Sequence, residues 1–116
     1  HCNHFRVHRM PVIKIFCAQR LEPDACERLA QTLRDLCIDP MGAKPDAIQL
    51  MLVPGVQMLD GAPVFVEAHY RDRPDRKGAA LTKFLEGVDQ AVQMAFGMQP
   101  RIRSFAVEQS TLGAVR

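Results

Sequence analysis

The residue with the most chemical promise is Pro11, which follows Met10 and opens the apolar run Val12-Ile13-Lys14-Ile15-Phe16-Cys17. If Met10 is the initiator and is removed, Pro11 becomes the amino terminus, a secondary amine at the edge of a hydrophobic sheet. Burial disfavours the charged form of an amine. A nitrogen whose ordinary relatives titrate at about 7.7–8.0 or above would then act as a general base near neutral pH. A peptide bond into Pro11 would instead leave a non-basic amide, so residues 1–9 decide whether that chemistry exists.

Those residues, HCNHFRVHR, look foreign to the rest of the chain. His1, Cys2, His4 and His8 could form a metal-binding cluster. A structural zinc site, however, usually pairs two separated ligand clusters, and the next histidine is the isolated His69. Residues 1–9 are therefore expected to be a disordered leader or vector-derived extension ahead of a single domain over residues 10–116, with no metal and no cofactor. Cys17, Cys26 and Cys37 have no nearby histidine to activate them and are expected to fill core space. His69 reads as a packed or edge histidine, and Met51, Met58, Met94 and Met98 as core or interface packing. Glu67 is the most unusual charge, standing on an otherwise apolar strand and able either to pair with a basic residue across a subunit boundary or to face solvent.

The elements that must position Pro11 follow from periodicity. The first strand, Val12 to Ala18, is apolar on nearly every residue, as in a strand covered on both faces. Pro23 and Asp24 open a helix, in which Cys26, Leu29, Ala30, Leu33, Leu36 and Cys37 form one apolar stripe. Pro40, Gly42 and Pro45 close it. Ala47 to Val53 reads as a second strand, Val56 to Leu59 as a short edge piece before the Asp60-Gly61 turn, and Pro63 to Tyr70 as a third strand. Asp72 is placed to cap a second helix, with Asp75 three residues on. Its stripe is Leu81, Phe84, Leu85, Val88, Val92, Ala95 and Phe96, and Gly97 fits its C-terminal cap. Arg101 to Gln109 is the fourth strand, and the tail has room for one more at its end.

The predicted class is therefore α+β: two β-α-β units forming one sheet, with two helices on one face. With strands apolar on both sides and no chain left to cover the second face, oligomerisation is expected. A length of 116 residues suits one domain. A net charge of +2, scattered basic residues, one tyrosine and no tryptophan argue against nucleic acid. No apolar run approaches the roughly 20 residues of a membrane span, and the cysteine spacing is not that of a secreted scaffold, so a reduced, cytoplasmic setting is expected.

A chain of this order that begins Met10-Pro11-Val12-Ile13 resembles the tautomerase superfamily, which includes 4-oxalocrotonate tautomerase and macrophage migration inhibitory factor. The similarity runs from Met10 to Arg116. It rests further on Lys44-Pro45 before the second strand, Val53-Pro54 with Met58, and Val66-Glu67 leading to Arg73, the last also similar to a poorly characterised bacterial subgroup. The resemblance implies a homotrimer whose sheets line a central barrel, and keto–enol proton transfer on a small carboxylate-bearing carbonyl (2-oxo or 2-hydroxy) acid. Pro11 would be the base, with cationic side chains holding the carboxylate and stabilising the dienolate. Lys44 matches the lysine near the catalytic proline in the inhibitory-factor branch, and Arg73 matches the subgroup's arginine. Arg20 falls close to, but not on, the substrate-binding arginine of the oxalocrotonate branch, whose second arginine is Gln49 here. Arg103 stands where the inhibitory-factor branch has an aromatic residue. The alternative reading is a non-catalytic regulatory or binding module with a ferredoxin-like sheet, which shares the same element order.

Overall fold

The computed structural model describes residues 10–116, so the expected leader over residues 1–9, with the candidate cluster His1, Cys2, His4 and His8, lies outside the described residues. Four strands, β1 (Val12–Cys17), β2 (Gln49–Val53), β3 (Val64–Arg71) and β4 (Pro100–Val107), form one sheet in the order β2-β1-β3-β4. Helix α1 (Pro23–Ile38) joins β1 to β2, and α2 (Ala79–Phe96) joins β3 to β4. Both joined pairs are parallel neighbours, and β1 and β3 meet antiparallel at the centre. A ferredoxin-like sheet is built from split βαβ units, with another strand between the two that a helix connects. Nothing lies between β1 and β2 or between β3 and β4 here, which excludes the ferredoxin-like alternative.

Strand alternation fixes which side chains meet the helices. Ile13, Ile15 and Cys17 of β1 and Val64, Val66, Ala68 and Tyr70 of β3 are buried against Leu29, Leu33 and Cys37 of α1 and Phe84, Val88, Val92 and Phe96 of α2. The predicted stripes are thus observed, except that on α1 Ala30 is exposed and Cys26 only half-buried, and on α2 Ala91 is buried as well. Pro23 stands in the first turn of α1 as expected, and Gly97 ends α2 at φ 69, the left-handed geometry glycine tolerates.

Several expectations are corrected. Val56 to Leu59 forms no strand: Val56 donates its N–H to Cys17 O, which turns the chain across the end of β1. The tail forms a single 3-10 turn, Gln109–Thr111, and no strand. Asp72 does not cap α2, because Pro74–Arg76 forms a separate 3-10 turn and the helix begins after Gly78. Of the core-or-interface methionines Met94 is 89% exposed and so not in this chain's core, whereas Met41 is fully buried there. The second sheet face is not uniformly apolar. It alternates Val12, Phe16, Phe65 and Phe105 with Lys14, Glu67, His69, Arg101 and Arg103, all half-buried or exposed. Among the described residues no helix is long and apolar enough to cross a membrane.

The helices cross where Gly87 of α2 meets Leu36 of α1. A Cβ at Gly87 would stand 2.6 Å from Leu36 Cδ2 and 3.0 Å from Cδ1. Gly87→Val should therefore destabilise the fold by about 1–3 kcal/mol through overpacking, measured as a lowered urea midpoint with unchanged slope.

Candidate functional site

Pro11 stands at the amino-terminal lip of β1 with its ring fully buried. Its carbonyl accepts the Gln49 N–H at 3.1 Å, which ties it to the start of β2. Since Val12 lies opposite His69, the next ladder step brings Pro11 opposite Tyr70, whose side chain is buried on the same, helix-facing side. In the chain as described Pro11 nitrogen is joined to Met10, and amide resonance leaves it no basic lone pair.

Two connections converge on this end of the sheet. The first is the loop from α1 to β2, where Gly42 N–H donates to Ile38 O and Ala43 N–H to Cys37 O, both at 2.8 Å. This loop delivers exposed Lys44 five residues before Gln49. The second runs from β3 to α2 and carries Arg73 just beyond the last residue of β3. Arg73 Nε and Nη2 donate to Asp75 Oδ1 and Oδ2 at 2.9 and 2.6 Å, a bidentate pair. That hydrogen bonding raises the arginine's pKa and lowers the aspartate's. The two connections touch: a Cβ on Gly42 would lie 3.0 Å from Arg73 Nη2, and Gly42 adopts φ +69.

Beneath them lies Arg76, 3% exposed. Its Nε donates to Met41 O at 2.8 Å and its Nη1 to Arg71 O at 3.2 Å. Burial lowers its pKa, with Arg73 adding to the effect. Sequence reasoning missed it, because Arg76 falls in the polar run Arg71 to Lys77, where no periodicity signals burial.

Lys44 and Arg73 are therefore brought to the Pro11 end, joined by Arg76. Arg20 and Arg103 are not. Arg20 follows the far end of β1, a six-residue strand spanning about 20 Å at ~3.3 Å per residue. Arg103 lies on the open sheet face, opposite Glu67 in the ladder, away from the side to which Pro11 points. Glu67 pairs within its own strand with His69, Oε1 to Nε2 at 2.9 Å, and His69 stacks on Phe105 with ring centroids 4.7 Å apart. Among the described residues no group of three or more metal-ligating side chains occurs.

The sequence matches no family model and no curated relative. Solved structures do match. A fused 4-OT wild-type symmetric trimer is similar at TM-score 0.75 and 17% identity, over 90% of this chain and 92% of that one. The fold is that of the tautomerase superfamily. A macrophage migration inhibitory factor-like protein from Entamoeba histolytica also matches, at TM-score 0.72 and 11% identity over 91% of this chain and 96% of that one. A third tautomerase-fold match is Pt0534 inactivated by 2-oxo-3-pentynoate, at TM-score 0.71 and 15% identity over 90% and 91% of the two chains.

The thiols do not belong to this site's chemistry. Burial pushes the Cys37 thiol up to about 12, opposed by Arg76 and Arg34, and burial likewise raises that of Cys17. Cys26 is only half-buried. Alkylation of the native protein at pH 8, read by peptide mapping, should modify Cys26 well before Cys17 or Cys37. The folded Cys37 pKa lies above the ordinary value of 9.0, so the unfolded chain loses that proton first. Stability should accordingly fall as pH rises from about 9 towards 12.

Proposed function

We propose that this chain is a tautomerase-like isomerase acting on a small 2-oxo or 2-hydroxy acid, with Pro11 as general base once the chain before it has been removed. The observation that carries this reading is the fully buried Pro11 at the one sheet end where the Lys44 loop, Arg73 and Arg76 meet. Freed from Met10, the Pro11 nitrogen would take a proton from the carbon beside the substrate carbonyl. The C–H electron pair moves into the new C=C bond and the carbonyl π pair onto oxygen. The same nitrogen then returns the proton at another position. Lys44 and Arg73 hold the carboxylate and favour the enolate as its charge develops.

The 2-oxo-3-pentynoate named for one structural neighbour is an electrophilic 2-oxo acid, which suits a nucleophilic amine beside a carboxylate-binding cation. Neighbours described as trimers, together with Phe16, Phe65 and Phe105 on the open sheet face, support a homotrimer built on that face. Arg20 and Arg103 then reach a site only across a subunit boundary. The cytoplasmic setting belongs to the same proposal.

Amino-terminal sequencing of the protein made from its native gene should give Pro11 first. That form should interconvert phenylpyruvate with its enol or ketonise 2-hydroxymuconate, followed by ultraviolet absorbance, and Pro11→Ala should lose about 10²-fold or more of the rate. 2-Oxo-3-pentynoate should add to the amino-terminal peptide and abolish activity. Retention of residues 1–10, or equal rates for the two proteins, removes Pro11 from the mechanism.

A further inference from the structure

Arg76 is a costly residue to bury. Arg76 is 3% exposed, its guanidinium bonds two carbonyls, and among the described residues it forms no ion pair, the Asp75 carboxylate acting on it only through its charge. A buried charge without a carboxylate partner is expensive, and tying two loops together does not by itself require one.

The two carbonyls are informative. Met41 O lies three residues before Lys44, and Arg71 O two residues before Arg73. Each candidate carboxylate-binding side chain therefore leaves the backbone just beyond a point that Arg76 holds. The same two segments meet again above, where Gly42 passes under Arg73 and the Asp75 carboxylate fixes the Arg73 fork. Arg71 also adjoins Tyr70, the residue one ladder step beyond the pair Val12 and His69 and hence opposite Pro11. A planar fork of donors suits such a bridge, because one rigid group spans two acceptors that a lysine ammonium cannot hold in the same geometry.

We propose that Arg76 is a positioning residue for the Pro11 site: by bridging Met41 O and Arg71 O it sets the spacing between Lys44 and Arg73, and so the fit of the substrate carboxylate. This rests on the tautomerase reading above. Arg76 touches no substrate in this role. It acts through the backbone of the two loops, while its own charge adds a positive field at the end of the sheet where the anion binds.

The test uses Arg76→Lys in protein that begins at Pro11, with phenylpyruvate as substrate. KM should rise about tenfold while kcat stays within about threefold, the signature of lost carboxylate binding rather than lost proton transfer. Hydrogen exchange should quicken over residues 41–47 and 71–77, with α1 and α2 still protected. If Arg76→Lys loses helix protection, Arg76→Gln takes its place with the same expectations. An unchanged KM, or a fall in kcat alone, overturns the positioning role. A wild-type protein that is inactive and unmodified by 2-oxo-3-pentynoate overturns the tautomerase reading, and the positioning role with it. The exchange data still report whether the bridge holds the loops.

Discussion

The antiparallel ladder between β1 and β3 is the constraint on which the rest depends. It runs from Val12 opposite His69 to Cys17 opposite Val64, and each of these strands carries a second, parallel partner on its other side. A strand paired on both edges has no freedom to slip, because a shift of one residue would turn Ile13, Ile15 and Cys17 out of the core. The register therefore fixes the lip of β1, and with it the height of Pro11 relative to the loops above it.

That lip gathers charge for topological reasons. The α1–β2 and β3–α2 connections reach the same end because β2 starts there and β3 finishes there. The α1–β2 connection anchors Met41 and Ala43 in the core while the β3–α2 connection is polar, and the cations they bring are managed differently. Arg73 is paired with Asp75 at the surface, with its guanidinium held charged. Arg76 is sunk beneath it and satisfied by carbonyl oxygens. A guanidinium buried on carbonyl oxygens, with Asp75 acting on it only through its charge, leaves positive potential in a region of low dielectric.

The opposite face of the sheet has another character. Glu67, with His69 bonded to it and Lys14 and Arg103 beside it in the ladder, puts a charged row between the aromatic residues Phe65 and Phe105. Such a face can be covered by like copies only if those charges find partners or water, so it asks more of an interface than a plain apolar surface would.

By itself the amino-acid sequence determined the four strands, both helices, their buried stripes and the proline that begins β1. Each of these depends on local periodicity or on a capping residue such as Gly97, and local rules act within a few residues. Through the family resemblance it also put forward Lys44, Arg73, Arg20 and Arg103, of which the structure brings Lys44 and Arg73 to the Pro11 end of the sheet. Only the tertiary structure decided that the parallel neighbours are β1 with β2 and β3 with β4, which excluded a ferredoxin-like sheet, because strand order arises from contacts between distant segments. Only it showed Arg76 to be buried: the carbonyls that compensate its lost hydration belong to Met41, thirty-five residues away, and to the end of β3, and no pattern within the run Arg71 to Lys77 encodes them.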